Sequence, residues 1–296
     1  MTDRRTFSYV LVDVFAEKAL EGNQLAVFMD GRGLSETEMQ ATAREMNLSE
    51  TTFILPSDLE DEDKGMRVRI FTVNEELPFA GHPTLGTAYC VHSQTRREQV
   101  VLNLNVGSVP VSFTPSGTRS FGEMRQRDPE FGETYSREEL ASAIGLQIED
   151  VAGDVPVQVV STGMPFAIVP IRSLEVIQRM RVSWTAIAQF IERRQAKFLY
   201  FVSRETVEPD STLHARMIFY GGEDPATGSA AGCCTAWAVK HGVLASEQRG
   251  IIEQGFEISR PSRIYIRGSR ENDAINNIRV GGYCVEVARG EFYLPK

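Results

Sequence analysis

The sequence has no long apolar run, no excess of positive charge and only four cysteines among 296 residues. Each absence excludes a class. A membrane-crossing helix needs about 20 consecutive apolar residues, and none is present. The opening MTDRRTFSYVLVDVF lacks the layout of a secretory signal, so a cytoplasmic protein with no membrane partner is expected. A net charge of −9 argues against a nucleic-acid partner, which would need a basic face. It leaves room for a small anion, because a helix N-terminus supplies local positive potential. Cys90, Cys233, Cys234 and Cys284 form no CxxC pair and show no zinc-type spacing with histidine. They read as reduced cytoplasmic thiols. There is no GxSxG elbow, no Ser-His-Asp order, no metal-ligand spacing and no dinucleotide-type glycine loop. A hydrolase is therefore disfavoured, and neither a metal nor an organic cofactor is expected.

What is present is an ordinary globular composition, 42% hydrophobic and 24% charged, in a chain long enough for one large or two medium domains. Short β-branched or aromatic runs predict strands over Phe7–Val14, Leu25–Met29, Thr52–Leu55, Met66–Phe71, Gln99–Leu104 and Ser108–Thr114. A capping box at Ser35–Glu38 opens a helix carried by Met39, Ala43 and Met46. The second half repeats the order. Gly163–Val169 echoes Gly22–Phe28, an offset of 141, and Ala215–Phe219 echoes Arg67–Phe71. Gly228 follows Gly81 by 147 residues. Val157–Ser161 and Phe198–Val202 are further strands, and Trp184–Arg194 and a segment ending at Val239 are helices. Two similar α/β domains are expected, joined near residues 115–150, where Pro115, Gly117, Pro129 and Gly132 punctuate a polar stretch.

The stretch Glu76-Leu-Pro-Phe-Ala-Gly81-His82-Pro83-Thr84 places a glycine, a histidine and a proline between a strand and a helix. Proline suits a first helical turn, which reads His82 as the N-cap and Gly81 as a point of close backbone approach. Ser229, after Gly228, is read in the same way. If the halves are related by a pseudo-twofold axis, the two helix N-termini face one cleft and offer N–H groups to a small anion.

Further motifs run along the chain: Asp13-Val-Phe15 with Gly22-Asn23, Asn47-Leu-Ser-Glu50-Thr51, Arg67-Val-Arg-Ile-Phe71, Gly222-Glu-Asp224-Pro-Ala-Thr-Gly228-Ser229 and Gln254-Gly255 with Arg260-Pro-Ser262. In this order, with the Gly-His-Pro stretch, they resemble the PhzF-like family, phenazine-biosynthesis isomerase-like proteins of the diaminopimelate-epimerase-like fold. Gly22-Asn23-Gln24 departs from the family's common Gly-Asn-Pro. The resemblance implies two α/β domains, each a mixed sheet curled around a central helix, with the active site in the cleft between them. Their extents would be 1–125 with a returning C-terminal strand (287–296), and 126–286. It implies a homodimer, and a cofactor-independent isomerase that moves a proton within a small cyclic carboxylate, as in trans-2,3-dihydro-3-hydroxyanthranilate isomerisation.

By that resemblance Glu50 is the acid/base, His82 and Asp224 belong to the catalytic set, and Gly81, Gly228 and Ser229 bind substrate. A carboxylate suits such a proton shift when partial desolvation raises its pKa toward neutrality, and the flanking Leu48 and Phe53–Leu55 predict such burial. Asn47 and Ser49 are read as shaping the turn that presents Glu50. Each of these residues also has a bland reading: Glu50 as a surface or capping residue, His82 and Ser229 as caps, and Asp224-Pro225 as a turn pair. His92, His214 and His241 receive no role. Two other functions stay open. An epimerase with a thiol from each half would need cysteines just before Gly81 and Gly228, where this chain has Ala80 and Thr227. An anion-binding or regulatory protein would share the cleft, but a carboxylate at Glu50 would repel its ligand.

Overall fold

The computed structural model describes residues 4–55 and 65–296. The chain divides into two compact units, Met1–Met124 with Gly281–Lys296, and Arg125–Val280.

The first unit begins with β1 (Arg4–Val14) and β2 (Asn23–Phe28), which pair antiparallel. Helix α1 (Glu36–Met46) crosses to β3 (Glu50–Leu55), parallel to β2. Ser35 and Glu38 close the expected capping box, which satisfies two of the helix's first N–H groups. Strand β4 (Met66–Phe71) runs antiparallel to β3 and forms a short hairpin with β5 (Glu76–Leu77). Helix α2 (Gly81–Thr95) then leads to β6 (Gln99–Leu104), parallel to β4, and to the antiparallel β7 (Gly107–Ser116) and β8 (Arg119–Arg125).

The second unit repeats this plan after a first strand, β9 (Glu130–Tyr135), and helix α3 (Arg137–Ile144). Strands β10 (Val157–Ser161) and β11 (Pro165–Pro170) pair antiparallel. Two short helices, α4 (Leu174–Arg179) and α5 (Trp184–Ile191), cross to β12 (Phe198–Ser203), parallel to β11. Strand β13 (Leu213–Phe219) pairs antiparallel with β12 and with β14 (Gly222–Glu223). After α6 (Gly228–Lys240) come β15 (Gly250–Gln254), parallel to β13, then β16 (Ser262–Glu271) and β17 (Ala274–Gly282). The final strand, β18 (Cys284–Pro295), lies in the first unit, antiparallel to β1.

Strands β2, β3, β11 and β12 are buried along continuous apolar runs, as strands covered on both faces are, whereas β6, β7 and β16 alternate between buried and more exposed residues. One face of each sheet wraps a central helix. In α2 the residues from Gly81 to Ala88 are all buried, and α6 is buried through Val239 apart from Ser229. A Cβ on Gly86 would come within 2.7 Å of the Val14 and Leu25 side chains, so the close helix–sheet contact requires glycine there. The other face of the first unit packs Phe28, Phe53 and Phe71 beneath Met39 and Ala43 of α1. In the second, α3, α4 and α5 contribute Leu140, Ile177 and Ile187 to the corresponding layer.

The division between the two units, after Met124, falls within the punctuated stretch 115–150, which is built of regular elements. This stretch holds the end of β7, all of β8 and β9, and α3. Its glycines and prolines mark strand ends and bends, and Gly122 lies where a Cβ would strike Leu85 and Phe113. The match of Ala215–Phe219 to Arg67–Phe71 is also corrected, by one residue. The hairpin pairs are Phe71–Glu76 in one unit and Ile218–Glu223 in the other, which fixes the equivalence at 147. Among the described residues no helix is long and apolar enough to cross a membrane.

Candidate active site

Local chain chemistry delivers Glu50. Helix α1 ends at Asn47 in the left-handed conformation (φ 52°), which asparagine tolerates, and its N–H closes on Ala43 O. Three residues later Glu50 opens β3, in register with Leu25. Its side chain is 15% exposed.

His82 arrives from α2. It is not the N-cap: that position belongs to Ala80, whose carbonyl accepts both the N–H and the hydroxyl of Thr84. His82 is therefore the second helical residue and Pro83 the third. Proline still costs nothing there, because the first-turn N–H groups have no intrahelical acceptor. No side chain caps this helix and its first turn carries no acidic residue. Its positive end is left to whatever binds there.

The imidazole of His82 is buried, with Nε2 3.4 Å from Glu50 Oε2 and Nδ1 3.3 Å from Asn23 Nδ2. Burial pushes its pKa down to about 3, against an opposing hydrogen bond with the Gln24 backbone. The ring is thus neutral across the physiological range. Nε2 faces Glu50 Oε2, while Asn23 lies against Nδ1 on the other side of the ring.

In the second unit the corresponding helix, α6, starts at Gly228. Its N-cap is Thr227 rather than Ser229, again without a side-chain cap or first-turn acid. Thr227 Oγ1 donates instead to Asp224 Oδ2 at 2.6 Å, bracing the turn from within. Beneath that turn lies Gln254, which the motif reading left without a role. Its amide donates to Asp224 O (2.7 Å) and Thr227 Oγ1 (3.0 Å), while its oxygen accepts from Tyr200 Oη (2.8 Å) and Thr227 N (3.3 Å). All four bonding positions of the amide are used. Ser262 Oγ donates to Pro225 O at 2.8 Å. Gly255, at φ 82°, passes so close that a Cβ would lie 2.4 Å from Arg260 O and 2.7 Å from Pro225 O. The quoted Gln-Gly and Arg-Pro-Ser residues thus form the support of the Asp224 turn.

The two units do not carry the same chemistry. Where α2 has His82, α6 has Ser229; where β3 opens with Glu50, β12 opens with Phe198. Neither N-cap, Ala80 or Thr227, has a thiol. Cys233 and Cys234 lie inside α6, where burial pushes Cys233 up to about 11 and Cys234 further up, so both stay protonated.

One feature had no sequence signal. His214, wholly buried, sits between Glu253 (2.7 Å) and Glu257 (2.9 Å). Burial alone would lower its pKa, but the two carboxylates outweigh it and push it up to about 9. Glu253 also accepts the N–H groups of Val207 and Glu208, so this pair anchors the loop between β12 and β13. The contact joins residues 39 apart in sequence, on parallel neighbours β13 and β15.

Comparison with known proteins agrees with this architecture. The phenazine biosynthesis-like protein family matches residues 12–290. An uncharacterized isomerase of Mesorhizobium japonicum is 36% identical, covering 98% of this chain and 100% of the relative. The trans-2,3-dihydro-3-hydroxyanthranilate isomerase of Pseudomonas aeruginosa is 34% identical, covering 97% of this chain and 99% of its own. The crystal structure of a Bacillus anthracis PhzF-family phenazine biosynthesis protein superposes with a TM-score of 0.88 at 28% identity, over 98% of this chain and 100% of that one. A hydroxyproline epimerase from Agrobacterium vitis shares the fold alone, at TM-score 0.66 and 10% identity over 100% of this chain and 95% of its own. The chain belongs to the phenazine biosynthesis-like family and is an isomerase on the epimerase-like fold.

Proposed function

We propose that this isomerase moves a proton between two carbons of a small cyclic carboxylate, with Glu50 as the acid/base. The ionised carboxylate takes a proton from a ring carbon, and the electron pair spreads into the adjoining conjugated system. The resulting acid returns the proton to another carbon of that system. Nothing is oxidised or reduced, and Glu50 ends as it began. The observation that carries the reading is the carboxylate of Glu50 beside a buried, neutral imidazole at 3.4 Å. A cation at that distance would hold the carboxylate ionised and weaken it as a base; neutral His82 orients Glu50 and the ligand instead.

Substrate contact is assigned to Gly81 and His82 in the first unit and to Asp224, Gly228 and Ser229 in the second. The uncapped starts of α2 and α6 support this assignment, since each suits an anionic group. The similarity to the Pseudomonas aeruginosa enzyme supports a dihydroaromatic amino acid as substrate. The reading includes a cytoplasmic homodimer, which cell fractionation and light scattering test. Its direct test is turnover of trans-2,3-dihydro-3-hydroxyanthranilate and related cyclic carboxylates by wild type, Glu50→Gln and Asp224→Asn. Turnover by wild type and its loss in Glu50→Gln support the reading. Wild-type binding without turnover of any candidate contradicts it and favours an anion-binding protein.

A further inference from the structure

Residues 67–90 and 214–237 occupy equivalent places in the two units, yet at the 147-residue spacing only four positions are identical: Arg69 and Arg216, Glu76 and Glu223, Pro78 and Pro225, Gly81 and Gly228. The glycines start the two central helices. The arginines and glutamates form the same two-pronged ion pair through the same atoms. Arg69 Nε and Nη2 donate to Glu76 at 2.8 and 2.5 Å, and Arg216 Nε and Nη2 donate to Glu223 at 2.8 and 2.7 Å. Each pair closes one hairpin, β4–β5 or β13–β14, five residues before its glycine.

Each arginine also reaches the crossover that precedes its hairpin. Arg69 Nη2 donates to Glu36 Oε2 at the start of α1 (2.8 Å), and Arg216 Nη1 donates to the carbonyls of Ile177 (2.8 Å) and Met180 (3.2 Å) at the end of α4. The pairs are partly to largely buried, with side chains 16% and 21% exposed in the first unit and 7% and 10% in the second. A buried ion pair gives little net stability compared with apolar residues of the same size, so its retention in both copies points to geometry. In the first unit that geometry is specific. Helix α1 leads into Glu50, the hairpin leads into Gly81 and His82, and Arg69 is bonded to both segments. Gln40 and Arg44 of α1 add bonds to Thr72 O and Val73 O at the hairpin turn. In the second unit Glu223 immediately precedes Asp224.

We propose that Arg69–Glu76 and Arg216–Glu223 are positioning pairs, one per unit, that set the approach of each central-helix N-terminus, and that Arg69 also sets the spacing of Glu50 from His82. This rests on the acid/base reading above for its effect on rate, though not for its effect on structure.

The test uses the full-length protein with Arg69→Gln, Arg69→Lys and the exchanged pair Arg69→Glu/Glu76→Arg. Two readouts are followed: kcat and KM for trans-2,3-dihydro-3-hydroxyanthranilate, and the NMR resonances of the Gly81 amide and His82 ring. Arg69→Gln should lower kcat by about 10- to 100-fold with KM within about threefold, as expected for misplacement of a reacting group, and should shift both resonances. Lysine keeps the charge but not the fork, so Arg69→Lys should show the same pattern more weakly; it serves as the decisive variant if Arg69→Gln does not fold. The exchanged pair should move the Gly81 amide resonance back toward wild type while kcat stays low, because a carboxylate at position 69 cannot bond Glu36. A folded Arg69→Gln or Arg69→Lys with wild-type kcat and unshifted resonances overturns the proposal. If wild type turns over no candidate, the acid/base reading fails, while the resonances still decide whether Arg69 positions Gly81 and His82.

Discussion

Glu50 Oε2 and His82 Nε2 lie 3.4 Å apart, one at the start of a strand and the other in the first turn of a helix, with the imidazole buried and uncharged. The side chains that meet come from a crossover and a hairpin that sequence reading treats separately. Burial of the imidazole, rather than its pairing with Glu50, sets the ring's pH behaviour.

His82 should not titrate in the working range. Its folded pKa, about 3, lies below the 6.5 of an unfolded histidine. Between these values the unfolded chain binds a proton that the folded one refuses, so this residue lowers stability as pH falls through that window and has no effect above it. The expected NMR result is a flat His82 ring shift from pH 5 to 8. A midpoint near 6.5 would contradict the burial that defines the site.

His214 should act in the opposite sense. Its folded pKa, about 9, lies above the unfolded value, so its contribution is fully present below pH 6.5 and is lost as pH rises through about 9. The groups facing it are Glu253 and Glu257, with Arg216 3.9 Å from Glu257. Urea melts of wild type should show a falling midpoint from pH 6.5 to 9, and Glu257→Gln should flatten that fall. An equal slope in both proteins would remove the cluster as its cause.

Gln254→Ala should destabilise the protein by about 1–3 kcal/mol, because Tyr200 Oη and Thr227 N lose their buried acceptor. It should also reduce turnover by loosening Asp224. Thermal denaturation and kinetics on the same preparation check both parts. Undiminished turnover would mean that Asp224 is held without Gln254.

Gly86→Ala should cost about 1–3 kcal/mol through overpacking, since the new methyl would fall 2.7 Å from Val14 and Leu25 side-chain atoms. Calorimetry measures it. A neutral result would show that α2 can move away from the sheet.

Much of this was legible in the sequence because local rules and the fold agree. The runs Met66–Phe71, Gln99–Leu104 and Val157–Ser161 are strands with those limits, and Ser35–Glu38 caps α1 as its side chains demand. The misreadings concern features that need a partner. His82 reads as a cap until Thr84 is seen to close on Ala80. The one-residue slip between the halves disappears when the hairpin pairs Phe71–Glu76 and Ile218–Glu223 are matched, which also brings Arg69 with Glu76 and Arg216 with Glu223 onto one face, because side-chain direction alternates along a strand. His214 and Gln254 were unreadable because their chemistry comes from strands that meet only in the fold.

The most direct measurement of the central claim follows trans-2,3-dihydro-3-hydroxyanthranilate by NMR in deuterated water with wild type and Glu50→Gln. Glutamine keeps the size and hydrogen-bonding reach of the side chain but cannot take a proton. Wild type should isomerise the substrate and place deuterium on a ring carbon. Glu50→Gln should still bind it but lose about 10²- to 10⁴-fold or more in rate, the scale of general acid–base catalysis. Equal isomerisation and deuterium uptake by both proteins would contradict the assignment of the proton transfer to Glu50.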